Sequence, residues 1–338
     1  MILRYPLKLF SIILFFIQIN NTLGIIKKAN VTESLEIIKK ELKYSGEMTK
    51  SFDPSLYGYL KELNILNDNY SNVTLKEREN PVFVTSVSDP FIPRVIVLLK
   101  SIIKNFPKSK IIVYDLGLKK SNVHKMKKVC NVIYRKFKFE NYPNHVSNLK
   151  TYAFKALIIA EVLRDYKALW YLDSSLTFTK PNLKNVYTAM ESKKSPYILH
   201  DNPNHGIIRA TVNETFNYLP SNMTKLFEDK VPMYQAGFIY VVRNNELMKK
   251  VLKWYVLCSL EEDCISPKYS VRKCIDILKS RYGRNIGRCH RQDQSVINII
   301  LWNSYNGTIK EYTSGYNNFY KIKRHQKGKW KSLPFCKR

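Results

Sequence analysis

The segment ALWYLDSSLTFTK, residues 168–180, is an apolar extended run that Asp173, Ser174 and Ser175 interrupt before it resumes as LTFT. Asp and Ser favour turns because their side chains hydrogen-bond to the nearby backbone. The pattern therefore predicts two short strands joined by a polar turn, with Asp173 at the end of the first strand. A turn residue that only ends a strand is the ordinary explanation for this carboxylate, and a ligand-binding role is the alternative.

Strand and helix patterns alternate on the N-terminal side of this segment. Predicted strands are PVFVTSV (81–87), KIIVYDLGL (110–118) and NVIYRKF (131–137), and predicted helices are PRVIVLLKSIIKNF (93–106), residues 121–129 and LKTYAFKALIIAEVLRDY (149–166). Such alternation predicts an α/β fold with a mixed, mostly parallel sheet, right-handed crossovers and helices on its faces. Ligands of open α/β sheets bind beyond the carboxyl ends of the strands. Asp115 and Asp173 are both expected at such ends.

Further elements are predicted after Pro181. They are a helix to residue 192, a strand YILH (197–200), an irregular stretch 201–232, a strand AGFIYVV (236–242), a helix 244–257, a Cys-rich insertion 258–289 and a helix RQDQSVINIILWN (291–303). The basic tail after Phe319 has no clear period.

The N-terminus has the features of a secretory signal peptide, expected over residues 1–24. Arg4 and Lys8 precede an apolar run from Leu9 to Ile19. An uncleaved anchor is the alternative, but the run is shorter than the roughly 20 residues that span a bilayer. No later segment qualifies as transmembrane. The remaining chain is expected to consist of a stem over 25–80, one domain over 81–330 and a basic tail over 331–338.

Two sequence features agree with the secretory pathway, either the lumen of the endoplasmic reticulum and Golgi or secretion. Candidate N-glycosylation sites occur at Asn30, Asn69, Asn72, Asn213, Asn222 and Asn306. The even number of cysteines is consistent with disulfides. Cys258, Cys264, Cys274 and Cys289 are the clustered disulfide candidates, with Cys130 and Cys336 outside the cluster. Zinc is the competing explanation, but the spacings are long and contain no C-x-x-C. The pairing stays open.

The chain is strongly basic, with 56 Lys and Arg against 27 Asp and Glu, a formal charge of +29. Such a charge attracts polyanions. A secreted chain without a recognisable nucleic-acid motif is not expected to bind nucleic acid. A solvated lysine-rich surface is the ordinary explanation, and acidic glycans or anionic nucleotides are the alternative partners.

Four segments, in order, carry a resemblance to a known family: VFVTSVSDPFIPRVIVLLKSI (82–102), TYAFKALIIAEVLRDYKALWYLDSSLTF (151–178), YQAGFIYV (234–241) and HRQDQSVIN (290–298). Their order resembles the GT-A-fold nucleotide-sugar glycosyltransferases of the family 8 and glycogenin-like group. The chain is also similar to a nematode set of secretory proteins with an uncharacterised domain. The resemblance runs from Val82 to Trp330. It implies a GT-A-like, Rossmann-type sheet of nucleotide-diphospho-sugar transferases.

The resemblance also implies a divalent metal, usually Mn²⁺, held by an Asp-x-Asp turn against the donor's diphosphate. A hard cation with oxygen ligands neutralises the leaving diphosphate. Asp173 matches the first Asp, whereas Ser175 stands in place of the second, so metal binding is expected to be weaker. In HQKGKW (325–330), His325 loosely matches a histidine that completes the metal shell, although a surface histidine is the ordinary explanation.

Donor and catalytic residues follow from the same resemblance. The expected donor-binding residues are Thr85, Asp115, Lys155, Gln235, Ala236 and Gly237, and the expected catalytic residues are Asp293 and Gln294. Lys155 would contact the diphosphate, Asp293 would orient the acceptor or act as a base, and Gln294 would stabilise the oxocarbenium-like sugar. Each also has a structural alternative, as a helix-surface lysine, a strand-end turn or a helix cap. His290 has two explanations, as a member of the same site or as a structural partner beside Cys289.

The leading hypothesis is a luminal glycosyltransferase that moves a sugar, in the manner of a hexosyltransferase, from a nucleotide-sugar donor to a glycan or protein acceptor. The alternative is a catalytically inactive GT-A-like secreted protein that binds acidic glycans, which Ser175 would favour. A third hypothesis, a disulfide-bonded matrix protein without a ligand site, is disfavoured because alternating strands and helices create a ligand crevice.

Overall fold

The computed structural model describes residues 49–67, 69–200, 205–272, 274 and 289–336. The predicted leader and the sequon at Asn30 lie outside these residues. The strands are β1 (Val82–Val87), β2 (Ile111–Asp115), β3 (Val132–Lys136), β4 (Ala168–Leu172), β5 (Leu176–Phe178), β6 (Tyr197–Leu199), β7 (Phe238–Val242) and β8 (Tyr320–Ile322).

Six strands form the central sheet in the order β3-β2-β1-β4-β7-β6. Strands β1 to β4 pair in parallel, and β7 runs antiparallel between β4 and β6. The predicted mixed, mostly parallel sheet flanked by helices is therefore confirmed. Strands β5 and β8 form a separate antiparallel pair. The polar turn after β4 thus leads the chain from the central sheet into a second, small sheet.

Eleven α-helices occur in the described residues. They are α1 (Tyr57–Glu62), α2 (Leu75–Arg78), α3 (Ile92–Asn105), α4 (Lys120–Lys128), α5 (Phe154–Asp165), α6 (Lys184–Glu191), α7 (Asn213–Tyr218), α8 (Met223–Glu228), α9 (Lys253–Leu260), α10 (Glu262–Ile265) and α11 (Asp293–Ser304). A π-helical turn, Leu247–Leu252, precedes α9. The predicted helix 149–166 begins later than expected, because a 3₁₀ turn, Leu149–Thr151, and the left-handed Tyr152 come before α5.

The core lies on both faces of the central sheet, because successive strand residues point to opposite faces. Val84 of β1 packs with the helices α5, α9 and α11. Phe83, its neighbour, packs with α3 and α6 on the other face. Helix α5 is buried along most of its length. It leads directly into β4, and this connection places its first turn beside the carboxyl end of β4.

The segment 49–80 packs against the rest of the fold. Leu60 of α1 is fully buried, and α1 contacts α9. The hydroxyl of Tyr240 in β7 donates a hydrogen bond of 2.7 Å to the carbonyl of Arg78. Leu56, Leu60 and Leu63 repeat at helical spacing, so this segment has its own apolar face to bury. This part of the expected stem therefore contributes apolar side chains to the core.

Two other segments are more ordered than expected. The stretch 201–232 contains α7 and α8, and Asn222 caps α8 through its side chain. The basic tail is fastened to the body of the domain, with Leu333 buried and Cys336 in a disulfide with Cys130. Short helices and a docked tail lack a long periodic pattern, which is why sequence periodicity misses them.

All six cysteines are paired, as Cys130–Cys336, Cys258–Cys264 and Cys274–Cys289. The prediction of disulfides is confirmed, and the open question of their pairing is answered. Cys258 belongs to α9 itself, so the Cys-rich insertion begins on a core helix. Among the described residues, no helix has the length and apolar character needed to traverse a bilayer.

Candidate functional site

Asp173 lies at the carboxyl end of β4, in the turn that leads to β5. Its carbonyl accepts a hydrogen bond from the amide of Leu176 at 3.1 Å, and its own amide donates to the carbonyl of Gly237 at 2.8 Å. The side chain of Asp173 is 44% exposed. The carboxylate therefore reaches solvent at the edge of the sheet where α/β proteins bind ligands.

Lys155, in the first turn of α5, is buried beside this carboxylate. Its Nζ lies 3.2 Å from Oδ1 of Asp173 and 2.8 Å from Oδ2 of Asp293. It also donates a hydrogen bond of 3.2 Å to the carbonyl of Ala236. The three donors of an ammonium group thus have three oxygen acceptors. Three segments that are distant in sequence converge on one buried cation.

The protonation of this cluster follows from burial and charge. Burial alone would lower the pKa of Lys155, but the carboxylates of Asp173 and Asp293 outweigh it and hold that pKa well above its usual range. Burial raises the pKa of Asp293, while the neighbouring Lys155 acts in the opposite direction. Lys155 is therefore cationic at neutral pH. With both carboxylates ionised, the cluster carries a net charge of −1.

Asp293 is the first residue of α11, where the helix dipole favours a negative charge. Gln292 before it has a positive φ of 44°. Asn298, one turn further on, is fully buried, and its side chain accepts from the amide and donates to the carbonyl of Tyr234, each at 2.7 Å. These two hydrogen bonds attach the segment before β7 to α11. They thereby keep the Ala236 carbonyl and Asp293 both within reach of the Lys155 ammonium.

Gly237 allows the close approach of the segment before β7 to the Asp173 turn. A Cβ atom built at this position would lie 2.8 Å from Cγ of Asp173 and would also clash with its Oδ2. Its φ does not lie in the left-handed region, so the glycine is required by space rather than by backbone conformation. Any side chain here displaces the carboxylate.

Two expected donor residues lie elsewhere. Thr85 is fully buried in β1, and its hydroxyl donates to the carbonyl of Leu172 at 2.7 Å, so it joins β1 to the end of β4. Asp115 ends β2, and its Oδ1 accepts from the amides of Gly117 and Leu118. Strand β1 separates Asp115 from Asp173 in the sheet. Both residues have structural partners, and neither contacts the Lys155 cluster.

Gln235 is half-buried next to Ala236, whereas Gln294 is buried beside Asp293. Among the described residues, Nε2 of Gln294 has no hydrogen-bond partner. The buried hydroxyls of Tyr197 and Tyr255 also have no hydrogen-bond partner among the residues that the structure describes. Burial is the main cause that raises the pKa of both phenols. The negative charge of Asp293 raises the pKa of Tyr197 further, and the neighbouring Tyr197 does the same for Tyr255. These groups are therefore neutral donors around Asp293.

Ser175 shares the turn with Asp173, and its carbonyl accepts from the amide of Lys323 at 2.8 Å. His325 follows two residues later and is exposed. Within the described ranges, no group of three or more His, Cys, Asp or Glu side chains is placed to hold a metal. The turn offers hard oxygen donors, namely Oδ2 of Asp173 and the hydroxyl of Ser175. This set is incomplete for a divalent cation unless a ligand supplies further oxygens.

His290 has a structural role. Its Nε2 lies 3.0 Å from the carbonyl of Ile265, and burial lowers its pKa to about 4. Asn298, Tyr197 and Tyr255 were missed by sequence reasoning. A signal existed for Asn298, because asparagine is unfavourable inside a helix and, on an apolar helix, indicates a tertiary hydrogen bond.

A family model described as a protein of unknown function (DUF1647) matches residues 27–160. No curated protein matches the sequence.

Solved structures with similar folds are glycosyltransferases by their names. The mannosyltransferase Ktr4p from S. cerevisiae is 13% identical, with coverage of 69% of this chain and 77% of that one and a TM-score of 0.40. The core-mannan synthase A from Aspergillus fumigatus, in its Mn/GDP form, is 11% identical, with coverage of 70% and 71% and a TM-score of 0.37. Mouse xyloside xylosyltransferase 1 is 10% identical, with coverage of 69% and 83% and a TM-score of 0.38.

Proposed function

We propose that this protein is a luminal or secreted glycosyltransferase of GT-A type that transfers a sugar from a nucleotide-sugar donor to a glycan or protein acceptor. The observation that supports it is the buried Lys155 ammonium, held by Asp173, Asp293 and the Ala236 carbonyl at the carboxyl edge of the sheet. A strongly coupled, buried charge cluster beside a ligand-binding edge is a candidate functional site. The three disulfides agree with an oxidising compartment.

Sugar transfer requires that the bond between the anomeric carbon and the donor diphosphate breaks while a bond to an acceptor oxygen forms. The diphosphate leaves with both bonding electrons, and the acceptor hydroxyl loses its proton. Groups that stabilise the developing negative charge therefore lower the barrier. In this proposal Lys155 supplies one fixed positive charge for the diphosphate, and the exposed Asp173 is the first member of the cluster that an entering ligand meets.

We include a divalent cation in the proposal, because with both carboxylates ionised the cluster of Lys155, Asp173 and Asp293 carries a net charge of −1 and would repel a diphosphate. Oδ2 of Asp173 and the Ser175 hydroxyl would hold the ion together with the diphosphate oxygens, as Mg²⁺ is commonly bound through one or two carboxylates and substrate phosphates. His325 is a further proposed ligand. The cation would act as a Lewis acid that neutralises the leaving group.

Asp293 and Gln294 have separate proposed roles. Asp293 is buried behind Lys155, so it positions the ammonium and, in the complex, orients the acceptor or takes its proton. The Gln294 amide has an Nε2 without a partner among the described residues, and it would hydrogen-bond to the transferred sugar. The segment Gln235 to Gly237 would form the floor of the sugar site.

The test uses the full secreted chain with its disulfides intact. Radiolabelled transfer and donor hydrolysis are measured over a panel of nucleotide sugars, with and without Mn²⁺. Asp173→Asn is expected to lower kcat/KM by about 100-fold or more, the usual cost of losing one electrostatic group at a reacting centre. Asp165→Asn is the matched control, since Asp165 is 50% exposed and also pairs with a cation, Arg135, at 2.8 Å.

The control variant should retain full activity. The proposal is refuted if the folded protein neither transfers nor hydrolyses any donor and also fails to bind nucleoside diphosphates in calorimetry. It is equally refuted if both Asp variants lose activity to the same degree, because the effect would then be one of general stability.

A further inference from the structure

Two short segments of this chain carry a dense positive charge without any carboxylate. Residues 119–128 contain five lysines, and residues 323–336 contain four lysines and Arg324, with no Asp or Glu in either segment. All ten of these basic side chains are exposed. We call the surface formed by these two segments the basic face. The flanking acidic group is Asp89, which is hydrogen-bonded to the Lys119 amide and the Asn122 side chain.

The two segments form one surface because the tail is fastened to α4 and α3. Cys336 forms a disulfide with Cys130, and its amide donates to the carbonyl of Lys128 at 3.0 Å. The indole N–H of Trp330 donates to the side chain of Asn122 at 3.2 Å. The tail is thus attached to α4 at two points, near the start of the helix at Asn122 and at its last residue, Lys128. Lysines that repel one another are kept together by a covalent bond and by backbone hydrogen bonds.

Gly328 brings the tail against α3. Its amide donates to the carbonyl of Pro93 at 2.8 Å, and a Cβ atom built on it would lie 2.6 Å from Cγ2 of Ile96. The tail starts beside the candidate site, where the Lys323 amide donates to the Ser175 carbonyl at 2.8 Å. The basic face therefore runs from the Asp173 turn across α3 to α4, which is an extended rather than a pocket-like arrangement.

We infer that the basic face binds a linear, sulfated or carboxylated glycan. An extended row of like charges suits a polymer with regularly spaced anionic groups, because each contact releases counterions. Nine of the ten basic residues are lysines. Lysine acts as a point charge, whereas reading of nucleic-acid bases relies mainly on the bidentate arginine fork.

Two further observations favour a glycan as the occupant. Trp330, which could stack on a nucleic-acid base, is half-buried with its N–H already engaged. The six N-glycosylation sequons that follow the predicted leader all lie outside the two segments, so no N-glycan attached within them would cover the basic face. The three disulfides agree with an extracellular or luminal setting, where linear polyanions are glycans. The inference does not depend on the proposed transfer activity.

The experiment compares two variants of equal charge in the full, disulfide-bonded chain. The first carries Lys125→Gln, Lys128→Gln and Lys329→Gln on the basic face. The control carries Lys180→Gln, Lys184→Gln and Lys194→Gln, three exposed lysines that lie outside both basic segments. Binding to heparin is measured by calorimetry over a range of salt concentrations, and far-UV circular dichroism verifies folding.

The basic-face variant is expected to bind heparin at least about tenfold more weakly, with a log–log salt slope reduced by about three, roughly one unit for each contacted lysine. The control variant should match the unaltered protein, and desulfated heparin should bind poorly to all three. Equal weakening by both variants would overturn the inference, since diffuse net charge would then explain binding. Short duplex DNA or phosphatidylserine vesicles that bind more tightly than heparin through the same lysines would overturn the choice of a glycan.

Discussion

Replacement of Lys155 by Met tests whether the buried cation holds the candidate site together. The substitution keeps an unbranched side chain but removes a charge that lies 2.8 Å from Asp293 and 3.2 Å from Asp173. Asp173 is 44% exposed and can be hydrated, whereas the Asp293 side chain is only 6% exposed. The cost therefore comes mainly from Asp293, left buried and unpaired, and we expect about 3–5 kcal/mol of lost stability near neutral pH.

The pH dependence of this loss has a definite sign. Without Lys155, the folded-state pKa of Asp293 rises further above its unfolded value, because burial then acts unopposed. A raised pKa of an acid means that the folded state binds the proton more tightly, so the penalty grows as pH rises and shrinks as pH falls. The stability difference between the two proteins should narrow in acid.

Urea unfolding with the disulfides intact, followed by circular dichroism, measures the effect at several pH values. Adding Asp293→Asn to Lys155→Met should recover most of the lost stability, because the unpaired charge disappears. Lys250→Met is the control, since Lys250 is exposed and pairs with Glu246 at 3.3 Å, a contact expected to contribute less than about 1 kcal/mol. Equal losses for the two lysine variants, or a loss independent of pH, would refute the reasoning.

Three other outcomes follow from individual contacts. Gly237→Ala should abolish binding of nucleoside diphosphates in calorimetry, because the alanine Cβ meets the carboxylate of Asp173. Gly58→Ala is the control and should fold and bind normally, since a Cβ at Gly58 has no atom within 4 Å. Equal binding by both variants would contradict the steric argument. Asn298→Leu should lower the free energy of unfolding by about 1–3 kcal/mol, because the backbone groups of Tyr234 lose their buried partners, and an unchanged urea midpoint would speak against this. His290 has a folded-state pKa of about 4, below the ordinary value of about 6.5, so the folded chain loses stability as pH falls from 6.5 towards 4. His290→Gln should reduce that acid sensitivity in urea titrations, and an identical pH profile would exclude the histidine as its source.

Strand and helix positions were predicted well where side-chain periodicity is strong. Strands β1, β2 and β4 are buried on both faces and helix α3 buries one face, so their apolar spacing is visible in the chain. The helices of the segment 49–80 were not predicted, because they are short and short apolar repeats carry a weak signal. The antiparallel direction of β7 was also not visible, since the side-chain pattern of a buried strand does not encode the direction of its partner.

Within the candidate site, the turn pattern indicated Asp173 and the family resemblance added Gly237 and Asp293, which the structure brings together around Lys155. The same resemblance included Thr85, whose hydroxyl bonds the carbonyl of Leu172 on the neighbouring strand, and Asp115, whose carboxylate binds the amides of its own turn. A strand-end aspartate that binds its own turn and one that faces a ligand site look alike in sequence. Only the partners that each carboxylate has in the folded chain distinguish the two.

The amino-acid order was sufficient for the fold class and for the polar turn after β4, because periodicity and turn preference are local properties. Only the folded chain shows that the Lys155 ammonium lies between Asp173 and Asp293, and that a disulfide fastens the basic tail to α4. Both arrangements depend on which strands pair and which segments cross. Those choices minimise the free energy of the whole core, so no single segment encodes them.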